Sequence, residues 1–181
     1  MMRLKDCVRF FIILLCSVFL LSANKADKEV AFGLIENNKP TTIYYFGDNT
    51  VVNTALDIYR SDINSVCGTT PQIVDKLSDR SIIVACLSDD GNSTHNFLKK
   101  YKIDTKDIAG KWEAFKILTI NEKGKHYLLV LGSDSRGTAY GILELSRQIG
   151  VSPWSWWADV TPAKRQNVTL PKGFAICLLP S

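Results

Sequence analysis

Between Ser81 and Leu87 the chain reads Ser-Ile-Ile-Val-Ala-Cys-Leu, an apolar run with no polar alternation. A strand of that kind is covered on both faces, since neither can be left to water. Upstream, Val52, Ala55, Leu56, Tyr59, Ile63 and Val66 fall at i, i+3, i+4, i+7, i+11 and i+14. That spacing is one face of a helix, and Gly68 just beyond supplies its stop. Thr41 to Phe46, β-branched and aromatic between Pro40 and Gly47-Asp48, reads as a strand, and a short strand is expected around Gln72 to Val74. Asn92 to Tyr101 reads as a short helix with weaker periodicity. Glu113 to Ile120 and His126 to Leu131 read as two long strands joined by the polar loop Asn121 to Lys125, with Gly124 where a hairpin needs positive φ. Gly132-Ser133-Asp134 ends the second strand and offers caps to a helix from Arg136 to Ile149, which Gly150 terminates. Asn167 to Leu170 is a last strand in an otherwise irregular tail. The order β-α-β-β-α-β-β-α, with a hairpin among the crossovers, points to an α+β fold: a mixed β-sheet flanked by helices, not a purely doubly wound sheet.

A chain of 181 residues with 46% hydrophobic and 22% charged residues is an ordinary globular composition for one mature domain. The formal net charge is +4, of which Arg3, Lys5 and Arg9 against Asp6 contribute 3 − 1 = +2 within the first nine residues. The remaining +2 is spread without a basic cluster, which argues against nucleic acid as a partner. That basic head precedes the apolar stretch Phe10 to Leu21 and the small residues Ser22-Ala23, the parts of a secretory signal peptide over residues 1–23. The run is short for a stable membrane span. The expectation is a bacterial protein exported to the periplasm or the medium, with a mature domain over residues 27–181. Of five cysteines, Cys7 and Cys16 lie in the leader; the odd remainder, Cys67, Cys86 and Cys177, cannot be a complete disulfide framework. All three read as structural thiols, with a Cys67–Cys177 bond left open.

Motifs of common chemistries are missing. Gly132 and Gly137 have the spacing of phosphate-loop glycines, but Thr138 stands where the lysine belongs, so a nucleotide site is not expected. His95 and His126 are isolated and match no zinc pattern, and no metal or other cofactor is expected. Asp89, Asp90, Glu113, Glu122, Glu144 and Asp159 are carboxylates, but no spacing pairs two of them as glycosidase catalysis requires. No catalytic residue is assigned.

Two segments stand out. The first, Gly132 to Gly141, is a strand end, a capped turn and a helix opening on two glycines four apart, which lets the first turn lie close to another backbone. Either it is a capped helix with a tight packing contact, or the free backbone amides at the helix start, with Arg136 beside them, hold a ligand carboxylate such as a uronic acid. In the second, Val151 to Val160, three tryptophans fall within four residues. Trp154, Trp156 and Trp157 either stack on sugar rings or anchor the domain on a neighbour. In an extended chain Trp154 and Trp156 would face one side and Trp157 the other.

These two segments carry a resemblance. From Gly132 to Val160 the chain reads GSDSRGTAYGILELSRQIGVSPWSWWADV. This closely resembles the N-terminal domain of glycoside hydrolase family 115, in which a G-S-D-K-R-G-T-x-Y-G segment, a helix and G-V-S-P-W-x-W-W-A-D-V follow in order. Upstream, the resemblance holds in the order and length of elements. It implies a small α+β domain similar to the one preceding the barrel of β-hexosaminidases (β-hexosaminidase domain 2-like). It also implies an exported, metal-independent, inverting xylan α-glucuronidase that removes glucuronic acid or its 4-O-methyl ether from glucuronoxylan. The family's general acid and base are then expected in a catalytic barrel absent from this chain, which makes that barrel the domain's partner, with glucuronoxylan or aldouronic acids as ligands. On this reading Asp134 and Arg136 bind substrate while Trp154, Trp156, Trp157 and Asp159 form the domain interface. Ser135 replaces the family's lysine, and Ser155 and Thr161 replace its usual Tyr and Pro. A free-standing exported carbohydrate-binding or interaction domain is the alternative.

Overall fold

A computed structural model describes residues 31–179, apart from 89, 90, 157 and 159. The expected signal peptide and the start of the mature domain at residue 27 lie outside the described residues. Strands β1 (Phe32–Glu36), β2 (Lys39–Pro40) and β3 (Ile43–Tyr45) come first, then helix α1 (Thr50–Cys67), β4 (Arg80–Cys86) and helix α2 (Asn92–Lys100). The hairpin β5 (Phe115–Glu122) and β6 (Lys125–Gly132) leads into helix α3 (Ser135–Gln148) and a 3-10 turn at Pro153–Trp156. Strands β7 (Val168–Leu170) and β8 (Ala175–Leu178) close the described chain.

The main sheet has five strands in the order β3-β4-β6-β5-β8. β3, β4 and β6 run parallel, while β5 is antiparallel to both β6 and β8. β2, β1 and β7 form a separate antiparallel sheet. The α+β class with a mixed, helix-flanked sheet is therefore what the chain adopts.

The unbroken apolar run explains itself in the packing. Ile82 and Val84 of β4 face α1 and α3, with Leu128, Val130 and Ile117 beside them and Leu56, Tyr59, Ile63, Ile142 and Leu145 above. The small sheet adds Leu34, Ile35, Val168 and Leu170 to that core. Ile83 and Ala85 face the other way, where Phe97 and Leu98 of α2 and Ile108 cover Leu129, Leu131 and Tyr127. Successive residues point to opposite faces, so both registers of β4 must be apolar.

The local signals hold where their chemistry is local. The Asn49 side chain caps α1 by accepting from the Val51 amide at 2.9 Å, and Gly68 closes it at φ 79°. Instead of an independent strand at Gln72–Val74, the chain makes a single parallel bridge from Ile73 to Ile43. The β5–β6 loop is tighter than its polar stretch implied: pairing continues to Glu122 and Lys125, leaving a two-residue turn of Lys123 (φ 49°) and Gly124 (φ 81°). β1 and β2, joined through Asn37 and Asn38 at φ 50° and 60°, lie before the first strand expected, and β8 is mostly exposed, so neither shows the alternation that would announce it. Cys67, Cys86 and Cys177 are free thiols, which answers the open disulfide: the Cys67 thiol donates to the Thr69 carbonyl oxygen, whereas that of Cys177 faces Asp107.

Candidate functional site

The parallel strand β6 ends at Gly132, and α3 starts three residues later, so Ser133 and Asp134 lie at the carboxyl edge of the sheet. Open α/β sheets place ligands at that edge. A Cβ on Gly132 would collide with the Thr138 amide, and one on Gly137 with the carbonyl of Ala114. The two glycines bring the first turn of α3 down onto the sheet and onto the segment that enters β5.

That segment is then locked. The Ser133 amide donates to the Ala114 carbonyl at 2.8 Å, and the Ser133 hydroxyl accepts from the Ala114 amide at 3.0 Å. Asp134 uses both carboxylate oxygens: Oδ1 accepts from the Gly137 amide at 2.7 Å and Oδ2 from the Glu113 amide at 2.9 Å. The helix start thus carries its own anion, held by the free amides and the dipole there.

Glu113 is held at φ 54°, a left-handed conformation uncommon for a residue with a side chain. Its carboxylate pairs with the largely exposed Arg136 at 2.9 Å. β5 consequently starts at Phe115, two residues later than the strand pattern implies, because Glu113 turns the chain before it. Next to it Trp112 is 80% exposed. This stretch therefore presents an Arg–Glu pair one residue along the chain from an exposed tryptophan, side chains able to meet a polar, ring-bearing ligand by hydrogen bonding and stacking.

At the other end of α3, Pro153–Trp156 forms a 3-10 turn, so the extended geometry that would set Trp154 and Trp156 on one side is replaced by a helical one. Trp154 is 67% exposed. Trp157 and Asp159 lie outside the described residues. α3 thus separates the two predicted clusters: Asp134 and Arg136 gather at its start, Trp154 and Trp156 beyond its end.

Three features were not singled out in the sequence. Trp112 stands alone, without the clustering that marked the other indoles. The conformation of Glu113 depends on Asp134, 21 residues away. Asp62 is 8% exposed on the packed face of α1. A signal for it was present: it lies three residues beyond Tyr59 and four before Val66, a charge inside an apolar stripe.

No family model and no curated protein matches this chain. Among solved structures, it is similar to BtGH115A, a family GH115 4-O-methyl-α-glucuronidase with specificity for decorated arabinogalactans. The identity is 38% with a TM-score of 0.66, over 81% of this chain and 18% of that one. The chain thus spans under a fifth of that enzyme's length. CpGH84D and CpGH84B are matched at 10% and 15% identity with TM-scores of 0.48 and 0.47, covering 77% and 80% of this chain and 21% and 19% of theirs.

Proposed function

The chain is an N-terminal domain of the glycoside hydrolase family 115 type, and on that premise we propose that it is the non-catalytic accessory domain of an exported bacterial α-glucuronidase. The reading rests on one observation, the 38% identity extending over 81% of the chain. The enzyme would remove glucuronic acid or its 4-O-methyl ether from a decorated plant polysaccharide. Glucuronoxylan is the substrate the sequence motifs imply. The related enzyme acts on decorated arabinogalactans, so both glycans belong in the assay.

The non-catalytic role is supported by how the carboxylates at this edge are engaged. Asp134 is bound to two backbone amides and Glu113 to Arg136. An acid–base pair flanking a glycosidic bond needs carboxylates free to face it. In this reading Asp134 is a positioning residue that fixes the Glu113 turn, and Arg136 is the group that meets a uronic acid carboxylate. The tryptophans beyond α3 pack against the catalytic domain.

The test is calorimetric titration of the chain with aldouronic acids, decorated arabinogalactan fragments and unsubstituted xylo-oligosaccharides, with released glucuronic acid assayed in parallel. We expect no release by the chain alone, and release would overturn the accessory role. Binding that requires glucuronic acid and is lost in Arg136→Ala places the carboxyl edge of the sheet in the substrate site. The exposure of Trp112 and Trp154 favours a second reading, a free-standing carbohydrate-binding module. That reading requires binding of unsubstituted oligosaccharides that is lost on Trp112→Ala or Trp154→Ala. Export is tested by sequencing the N-terminus of the mature protein, expected near Asn24 or Asp27.

A further inference from the structure

Between α1, α3 and the 3-10 turn lies a groove of about 400 Å³. Ile58, Leu143, Val151 and Pro153 form apolar walls, and Asp62, Ser146, Arg147 and Ser152 contribute the polar groups. Asp62 also borders an adjoining cavity of about 590 Å³ on the far side of Val151. We propose that this groove receives a lysine or arginine side chain from a protein segment packed over it, its cation paired with Asp62 and its alkyl stem lying along the apolar walls.

Asp62 is a carboxylate with no counter-ion among the described residues. Burying a carboxylate without a counter-ion is costly, and native proteins pair such groups. Among the described residues no ion pair reaches Asp62, though it is 8% exposed. Burial pushes its carboxyl above the ordinary aspartate value, and the nearby Ser146 hydroxyl offsets this only in part. The nearest rim cations are engaged elsewhere: Arg147 forks onto Glu144 at 2.8 and 2.6 Å, and the Lys164 ammonium donates to the Ser65 carbonyl at 2.7 Å.

One further group shares the deficit: the Tyr59 hydroxyl is buried and completes no hydrogen bond among the described residues. Buried hydroxyls left in that state are rare and call for an explanation. A cation with several N–H donors, entering beside Asp62, would meet the carboxylate and the Ser146 hydroxyl that line the groove together. A metal ion fits poorly, because a hard cation wants about six oxygen ligands, and the groove walls are mostly apolar. A cationic side chain suits such walls, since its stem is itself hydrocarbon.

The occupant follows from the surroundings. Leu143 and Trp154 are exposed apolar side chains at this end of α3, as is Val160 on the adjoining cavity. Together with the groove they form a surface that a protein segment can cover, with a charged anchor at its centre. This inference rests on the accessory-domain reading for its partner: in the related enzyme a domain of this size is 18% of the polypeptide, and the remainder supplies the segment.

The test uses the whole chain and n-butylguanidinium as a probe, with n-butylurea as its neutral analogue, followed by amide shifts and the Asp62 side-chain carboxyl signal in NMR. We expect saturable shifts at Ile58, Leu143 and Val151 with the cation. They should weaken at least about tenfold, the effect of roughly 1.4 kcal/mol, in Asp62→Asn and with the urea. The Asp62 carboxyl should titrate above the ordinary aspartate range in the free chain and fall when the probe is bound. Equal shifts in wild type and Asp62→Asn, shifts only elsewhere, no shifts, or an ordinary Asp62 titration would each overturn the proposal. The probe contains no sugar, so its outcome is separate from the glycan titration that tests the accessory-domain reading.

Discussion

Asp134 joins two chain segments through one carboxylate, capping α3 and holding the Glu113 amide. Asp134→Ala leaves both amides without that acceptor and should cost about 1–3 kcal/mol, measured as a lower urea midpoint at unchanged m-value. Asp62 carries the opposite kind of prediction. Its folded-state pKa is raised above the ordinary value of 3.8 by burial, so the native state favours the protonated acid. Stability is then highest at pH below 3.8 and declines as pH rises through that value towards the folded one, above which the cost is complete. Asp62→Asn should therefore raise Tm at pH 7, with a gain that disappears in acid; a gain independent of pH would show that Asp62 is not a buried charge. At this scale the capping role of Asp134 was legible, because a short polar side chain before a helix acts on amides within three residues. The left-handed turn at Glu113 was not, because the acceptor that holds it comes from the far end of a hairpin.

The β5–β6 hairpin turns on two residues, and Gly124 sits at φ 81°, where a Cβ is strained even with open space around it. Gly124→Ala should destabilise by about 1 kcal/mol, read from thermal unfolding. Gly137→Ala tests a different contact. Its methyl would meet the Ala114 carbonyl, which is backbone bound to Ser133 and cannot swing away. Overpacking of that kind costs about 1–3 kcal/mol, and amide exchange should accelerate at Ala114 and at the start of α3. α1 was legible almost to its ends, since its stripe, its asparagine cap and its glycine stop are all local. β8 was not, because its neighbour β5 supplies the hydrogen bonds that make Ala175–Leu178 a strand.

Over the whole molecule, the five-stranded sheet divides the core into two apolar layers and α3 separates two surfaces. One is the edge holding Glu113 and Arg136, the other the groove holding Asp62 and the turn to Trp154. The chain alone should release no glucuronic acid, as the assay above will check. The sequence by itself determined the α+β class, the principal helices and strands and the motif at Gly132–Val160, because periodicity, caps and turns act over a few residues. Only the tertiary structure decided that Asp134 answers Glu113, that Arg136 meets a carboxylate within its own domain, and that Asp62 lies buried without a cation among the described residues. Each of those facts depends on segments distant along the chain being brought within hydrogen-bonding or Coulombic range, or out of water, by packing on the sheet.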